Sequence, residues 1–323
     1  MISVRVHAEG AVVDRDLPLD RISDVLELHE SLLWVDVIDP TADDFALLEQ
    51  EFAFHHLAME DASLIHERPK VDQYDGFLLI IFYALAISDA DPGIELRQVS
   101  IFAGSNFVVT LHEDEMQILD DVSDRWCASS AKVQNREAGL LVYSILDALV
   151  DGYLPLVDKI SERIDQIEDS VFGSFDAKAQ QEIFRLKRDL LQMRRVLTPE
   201  RDVLNQLMRR DTPTYNVDTA RYFQDIYDHL LRVLDSIDTY RDLLSSALDS
   251  YLSVLSNRTN KVMKTLTASS IILMSMTLVA SVYGMNFDHM PELNWLLGYP
   301  WALGLMATIG ISLGVLFKRV GWF

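Results

Sequence analysis

The chain has 323 residues, a formal net charge of −22 and a single cysteine, Cys127. Its length allows more than one domain, and one cysteine excludes an internal disulfide framework. The strongly acidic balance disfavours nucleic acid as a partner and favours cations. The sequence contains no Gly-Lys-Ser/Thr phosphate loop and no other nucleotide fingerprint, so we expect neither a nucleotide nor an organic cofactor.

Residues 1–130 have the pattern of an α/β domain. Thr41, followed by two acids, predicts the start of a helix. Gly104-Ser105-Asn106 predicts a tight turn between two strands. Segments rich in β-branched and aromatic residues predict the strands themselves, at 3–13, 32–40, 70–88 and 96–111.

Residues 131–264 have helical periodicity, and we expect a cytoplasmic helical region that ends in a stalk. Two helices are predicted over about 138–171 and 176–210, with a break near Gly173. Between Asp218 and Gly284 the sequence has no proline or glycine, which predicts one helix over about 217–284. Such a helix would be about 100 Å long.

Two apolar segments, 265–287 and 293–317, contain no charged residue, and each can supply the roughly 20 residues of a membrane-spanning helix. The charged residues beyond position 264 are two acids and two bases, so the whole net charge of −22 belongs to residues 1–264. The predicted order is a first transmembrane helix, an external loop, a second transmembrane helix and a basic tail, at 265–284, 285–298, 299–317 and 318–323.

The charges beside the apolar segments predict their orientation. Basic residues precede the first segment and follow the second, whereas the linker has only the acids Asp288 and Glu292. The positive-inside rule then places both termini in the cytoplasm. We therefore expect a multi-pass protein of the cell inner membrane, with the two loop acids outside, where they raise the local concentration of cations.

Polar residues gather on one stripe of the first membrane segment, at alternating steps of three and four residues. The stripe consists of Asn260, Met263, Thr267, Ser270, Met274, Thr277 and Ser281. One interpretation is close helix packing, in which small hydroxyl residues are common. The other is a pore lining, in which the oxygens bind the water shell of an ion and the methionines form apolar constrictions. Mg²⁺ dehydrates reluctantly, so it suits a pore without carboxylates.

The same stripe continues backward along the predicted stalk, where it becomes acidic or hydroxyl-bearing. Its members include Asp249 and Asp242, which we expect to attract cations, and it extends to Asp228 and Asp225. Unpaired carboxylates are costly to bury, so this face does not fit a dry coiled-coil seam. It fits a water-filled vestibule, or an ordinary exposed helix face.

Several segments together resemble the CorA family of divalent-cation transporters, whose signature is Gly-Met-Asn at the end of the first of two C-terminal transmembrane helices. The segments are YGMNF (283–287), MPEL (290–293), SNRTNKVMKTLT (256–267), YFQDIYDHLL (222–231), LVYSILDALVDGY (141–153) and HERPKVDQYDGF (66–77). The resemblance covers nearly the whole chain.

The resemblance implies an α+β membrane protein: an N-terminal α/β cytoplasmic domain, a long helical stalk and two C-terminal transmembrane helices, assembled as a funnel-shaped homopentamer in the lipid bilayer. It implies passive transport of Mg²⁺, with Co²⁺ and Ni²⁺ also accepted. Gly284, Met285 and Asn286 would form the ion entrance, with Gly284 ending the helix. Mg²⁺ would also be a regulatory ligand, bound between subunits at Asp61 and Asp225.

Two other functions remain open at this point. A zinc transporter of the same architecture also carries Gly-Met-Asn, although the MPEL continuation favours Mg²⁺. A membrane-anchored scaffold would need neither the polar stripe nor Asn286. One departure from the family is the ending FKRVGWF, which replaces the lysine-rich tail of many members and puts a basic ring at the inner mouth in doubt.

Overall fold

The computed structural model describes residues 2–8, 11–14, 22, 26, 31–64, 67–87, 93–128, 137–173, 178–209, 219–286, 290–291 and 295–322. The chain divides into two compact units. Unit 1 comprises Met1–Ser170 and Phe175–Ala247, and unit 2 comprises Val171–Ser174 and Leu248–Phe323.

The described part of unit 1 contains one sheet of seven strands in the order β2-β1-β3-β7-β6-β5-β4. β3 and β7 pair in parallel, whereas the other neighbours pair antiparallel. The strands are β1 (Ile2–Ala8), β2 (Ala11–Asp14), β3 (Ser31–Ile38), β4 (Lys70–Gln73), β5 (Phe77–Ile87), β6 (Ile94–Gly104) and β7 (Phe107–His112). The structure confirms strands in each predicted segment and the turn at Ser105-Asn106, but it divides 70–88 into two strands, β4 and β5; residues 9–10 and 88 lie outside the described residues.

Eight helices have both ends within the described residues. They are α1 (Ala42–Phe52), α2 (His56–Ser63), α3 (Gln117–Ala128), α4 (Ala138–Asp151), α5 (Leu154–Phe172), α6 (Ala179–Leu207), α7 (Thr219–Tyr283) and α8 (Gly298–Arg319). The predicted start of α1 is confirmed by a capping box: the Asp44 N–H donates to Thr41 Oγ1 at 3.3 Å, and the Thr41 N–H donates to Asp44 Oδ2 at 2.8 Å.

The core of unit 1 lies on both faces of the sheet, because consecutive residues in the central strands are buried. Leu48 and Phe52 from α1 pack with Val35, Val109 and their neighbours on one face. α4 contacts β5, β6 and β7, and its apolar residues Leu141, Val142, Ile145, Leu146 and Leu149 are fully buried. Because both faces of the sheet are covered, water is excluded from the side chains of its central strands.

The prediction of a single helix over 138–171 is wrong, because the chain turns at Gly152 and Tyr153 between α4 and α5. Tyr153 is fully buried and donates its hydroxyl to the backbone oxygen of Tyr83 at 2.5 Å. Pro155 also lacks the N–H that a continuous helix would require. A tertiary contact therefore sets a break that helical periodicity does not indicate.

Within the described residues, three helical segments are long and apolar enough to cross a membrane, by length and composition alone: Ala138–Val171, Arg221–Tyr283 and Gly298–Arg319. They differ in burial. Of the most apolar window in the first, 56% is buried inside the protein, against 6% in each of the others. The first segment therefore behaves as core, and the other two match the predicted membrane helices.

Unit 2 contains the later part of α7 and the whole of α8. α7 has 65 residues without interruption, which confirms the predicted long helix. It packs on α8 near Gly310, where an added Cβ would lie 3.6 Å from the sulfur of Met276. Near the other end, Thr265 Oγ1 donates to the backbone oxygen of Trp322 at 3.2 Å, which ties the end of the chain to α7.

Candidate functional site

The polar stripe of the first membrane segment is exposed over its full length. Its seven residues, Asn260, Met263, Thr267, Ser270, Met274, Thr277 and Ser281, are all exposed in the single chain. Met274 keeps 73% of its surface accessible, although it lies in the middle of an apolar segment. The stripe is therefore not covered by any described part of the same chain.

The opposite face of α7 packs on α8. Ala268 is fully buried, Ile272 and Met276 are half-buried and lie against Gly310, and Thr265 bonds to Trp322. At 3.6 residues per turn, these positions lie roughly 180° from the stripe. Packing on α8 therefore does not explain the polar stripe, which leaves packing on another copy or a pore lining.

The acidic continuation of the stripe is exposed in the same way. In unit 1, Asp225, Asp228, Asp235 and Asp242 are exposed, whereas the other side of α7 buries a row of apolar residues, namely Phe223, Ile226, Leu230, Val233, Ile237 and Leu244. In unit 2, Asp249 is exposed as well. This face is solvated, as an acidic vestibule requires.

Gly284, Met285 and Asn286 follow α7 directly and are exposed. The last turn tightens, since the Met285 N–H donates to Val282 O at 3.3 Å. An added Cβ at Gly284 would lie 3.3 Å from the Ala280 oxygen, a close contact that glycine avoids. Gly284 thus ends the helix as predicted. The roles of these three residues stay predictions, and Asp288 and Glu292 lie outside the described residues.

A group of metal-binding side chains lies where α4 meets the first part of α7. Asp147, Asp151 and His229 place one ligand atom each within 4.8 Å of one another. His229 Nδ1 lies 3.4 Å from Asp151 Oδ1, and His229 Nε2 lies 4.0 Å from Asp225 Oδ1. Carboxylates with a histidine suit a divalent cation, bound directly or through its water.

The electrostatics of this group favour a cation. Burial raises the pKa of Asp147, and the negative charges of Asp151 and Asp225 raise it further, although His229 opposes them. Carboxylates that repel each other gain most from a bridging cation. The group thus carries a surplus of negative charge that a divalent ion would neutralise.

Asp61 lies in a separate cluster. Its Oδ2 is 2.9 Å from Lys70 Nζ, which is also 3.4 Å from Asp72 Oδ2 and 3.6 Å from Glu67 Oε1. Among the described residues, the group of metal-ligand side chains consists of Asp147, Asp151 and His229, and it contains neither Asp61 nor Asp225. The predicted site between subunits stays a prediction.

The sequence interpretation found Asp225 but missed Asp147, Asp151 and His229. A usable signal was present, because Asp147 and Asp151 are four residues apart on α4, and Asp225 and His229 are four apart on α7. This spacing puts each pair on one helix face. Nothing in the sequence indicates that the two faces meet.

Comparison with known proteins decides the family. The sequence model of the family described as CorA-like Mg2+ transporter protein matches residues 29–319. The chain belongs to the CorA family. As a CorA protein it is a membrane transporter of divalent cations and not an enzyme. The predicted fold class, with its α/β domain, long helix and C-terminal helices, is confirmed.

Two relatives are similar over most of the chain. The protein YfjQ of Bacillus subtilis (strain 168) is 40% identical over 323 residues, covering 100% of this CorA chain and 99% of its own. The cobalt/magnesium transport protein CorA of Thermotoga maritima is 37% identical over 271 residues, covering 84% and 77%. The structure of the CorA magnesium transporter from Methanocaldococcus jannaschii is 24% identical, with a TM-score of 0.83 over 100% and 99% of the two chains.

Proposed function

We propose that this CorA protein is a passive channel for divalent cations, chiefly Mg²⁺, in which the exposed stripe of α7 lines the pore of a homopentamer in the cell inner membrane. Co²⁺ and Ni²⁺ are further candidate ions. Both termini would be cytoplasmic, and Asn286 with Gly284 and Met285 would form the outer entrance. Cytoplasmic Mg²⁺ bound between subunits would close the channel.

One observation carries the proposal: the stripe from Asn260 to Ser281 is polar, uncharged and turned away from α8. A face exposed to lipid would have no reason to gather polar side chains, since lipid tails offer them no hydrogen-bond partners. Around a common axis, the same face would present oxygen atoms to a hydrated ion. The acidic face of α7 would supply cations to this pore.

The energy source would be the membrane potential. The described residues and the sequence contain no nucleotide motif. Moving a doubly charged ion across 100 mV releases about 4.6 kcal/mol, twice the value for one charge. Mg²⁺ uptake into a negative cytoplasm would therefore proceed without nucleotide hydrolysis.

Regulation would use carboxylates in the cytoplasmic unit. Asp61 and Asp225 are the residues proposed to meet between subunits, and the group of Asp147, Asp151 and His229 lies beside Asp225. Repelling carboxylates would hold the subunits apart unless a divalent ion bridges them. Mg²⁺ would thus stabilise a closed ring, and its loss would loosen the ring.

The pore lining is tested by a matched pair of threonines. Thr277 lies on the stripe and Thr308 lies on α8; both are exposed, and both donate to the carbonyl oxygen four residues earlier at 2.8 Å. We expect Thr277→Val to lower Mg²⁺ uptake into proteoliposomes severalfold and Thr308→Val to leave it unchanged. Equal effects would remove the stripe from the pathway.

The entrance is tested by Asn286→Ala, which we expect to abolish Mg²⁺ uptake while leaving the oligomer intact. Unchanged uptake would refute the role of Asn286.

The mass of the purified complex in detergent tests the pentamer. A magnesium channel is separated from a zinc transporter by comparing the uptake of Mg²⁺, Zn²⁺, Co²⁺ and Ni²⁺ into the same vesicles. An absence of flux for all four ions would favour the scaffold.

A further inference from the structure

Glu200 is a fully buried acid on α6, in unit 1. Its Oε1 accepts the backbone N–H of Tyr83 at 2.9 Å, and its Oε2 lies 3.1 Å from the hydroxyl oxygen of Tyr153. Among the ion pairs of the described residues, none involves Glu200. A buried carboxylate without a cation is strongly disfavoured.

Tyr83 lies at an open stretch of the edge of β5. β4 pairs with β5 only as far as Lys70 opposite Ile81, so among the described residues no strand pairs with Tyr83 on that side. Its backbone N–H bonds to Glu200 and its backbone oxygen to Tyr153. Two side chains from the helices therefore replace the missing strand, and they satisfy the buried backbone groups.

The hydrogen atoms in this network can be counted. The Tyr153 hydroxyl oxygen makes two contacts with oxygen atoms, at 2.5 Å to the Tyr83 carbonyl and at 3.1 Å to Glu200 Oε2. A carbonyl oxygen carries no hydrogen, so the single Tyr153 proton serves the shorter contact. The contact with Glu200 then needs a second hydrogen, which only a protonated carboxyl can donate.

We infer that Glu200 is a neutral carboxylic acid in the folded protein, and that its proton fastens α6 and the turn after α4 to the open edge of β5. Removal of this proton would leave a buried negative charge against the oxygen of Tyr153. The network is a proton-dependent clamp between the sheet and two helical elements of unit 1.

The surroundings of Glu200 also favour its neutral form. Burial raises the pKa of Glu200 well above its ordinary value and outweighs the hydrogen bond from the Tyr83 N–H, which favours the carboxylate. Tyr83 on β5 and Tyr153 in the turn after α4 face the Glu200 carboxyl. Glu67 carries a negative charge near Tyr83. Burial, with the charge of Glu67, raises the pKa of Tyr83 to about 12.

Infrared spectroscopy of the full-length protein in detergent at pH 7 tests the protonation state. We expect a carbonyl band of a protonated carboxylic acid that disappears in Glu200→Gln. The control is Glu182→Gln on the same helix, whose carboxylate pairs with Arg185 and should contribute no such band. The inference is overturned by a spectrum without the band, or by a band that Glu200→Gln leaves unchanged.

Stability against pH supplies a second test. The pKa of Glu200 is higher in the folded than in the unfolded state, so the clamp contributes fully below the unfolded value of about 4.3 and is lost as pH rises toward the folded value. Gln keeps both the acceptor for Tyr83 and a donor for Tyr153. The unfolding constant of wild type relative to Glu200→Gln should therefore rise about tenfold per pH unit above about pH 5. A constant ratio, or a Gln variant that does not fold, would overturn the inference.

Discussion

Lys70 offers a sharp test of how the proposed regulatory site is tuned. Its ammonium lies 2.9 Å from Asp61 and within 3.6 Å of Asp72 and Glu67, so a cation already occupies the carboxylate that Mg²⁺ would need. Burial lowers the pKa of Lys70, but the hydrogen bond and charge of Asp61 outweigh it and raise the pKa. Lys70 therefore stays charged and would compete with Mg²⁺ at the proposed site.

Lys70→Met keeps the apolar stem and removes the charge. A Mg²⁺ ion on Asp61 would lie about 4–5 Å from the ammonium, where two unit charges repel by about 1 kcal/mol in water and about 4 kcal/mol near a protein surface. The ion carries two charges, but Lys70 is partly exposed and can swing away. We therefore expect a net gain of about 1–2 kcal/mol, or roughly 5- to 30-fold tighter Mg²⁺ binding.

The assay is the Mg²⁺ concentration that gives half-maximal protection of the cytoplasmic unit from proteolysis. It is compared in wild type, Lys70→Met, Asp61→Asn and the double variant. We expect Lys70→Met to lower this concentration relative to wild type. The same substitution should have little effect when it is added to Asp61→Asn, in which the carboxylate is already neutral. A higher concentration in Lys70→Met would mean that the lysine orients Asp61 for binding, which refutes competition.

Three further predictions concern unit 1. Asp151→Asn should raise the Mg²⁺ concentration for half-maximal protection from proteolysis roughly tenfold, because one carboxylate of the metal group is lost. Asp158→Asn on α5, which is also exposed, should leave this concentration unchanged. Equal shifts in the two variants would contradict the metal group. Burial lowers the pKa of His112, but its hydrogen bond with Asp36 at 3.1 Å outweighs this and raises the pKa. The advantage of wild type over His112→Gln in urea should therefore be largest below about pH 6.5 and fall as pH rises through the folded pKa; an advantage independent of pH would exclude an ionised pair. Thr41→Ala should lower the free energy of unfolding by about 1 kcal/mol through loss of the capping box, and an unchanged thermal midpoint would show that the cap contributes nothing.

Local patterns predicted most of the elements. The capping residues Thr41 and Asp44 act within four residues of each other, so the sequence indicates where α1 begins. The length of α7 likewise follows from the absence of proline and glycine between Asp218 and Gly284. Such features depend on neighbours along the chain, which a sequence displays directly.

Features that depend on distant contacts were not predictable. The break between α4 and α5 depends on Tyr153 reaching Tyr83, 70 positions away. The metal group depends on α4 meeting α7, and the pairing of Asp61 with Lys70 depends on α2 lying beside β4. A helical or acidic pattern is compatible with several such arrangements, and packing selects one.

The buried segment Ala138–Val171 has a consequence for how the chain is made. It is apolar enough to be mistaken for a membrane helix, but its enclosure inside the protein and its charged residues, such as Asp147 and Asp151, distinguish it from the two segments that follow. A chain with two crossings keeps its ends on one side of the bilayer, whereas a chain with three sends them to opposite sides. The number of membrane crossings therefore depends on this segment packing against the sheet before the insertion machinery recognises it as a membrane helix. Variants that delay closure of α4 on β5 would be expected to yield inverted molecules as well as unstable ones.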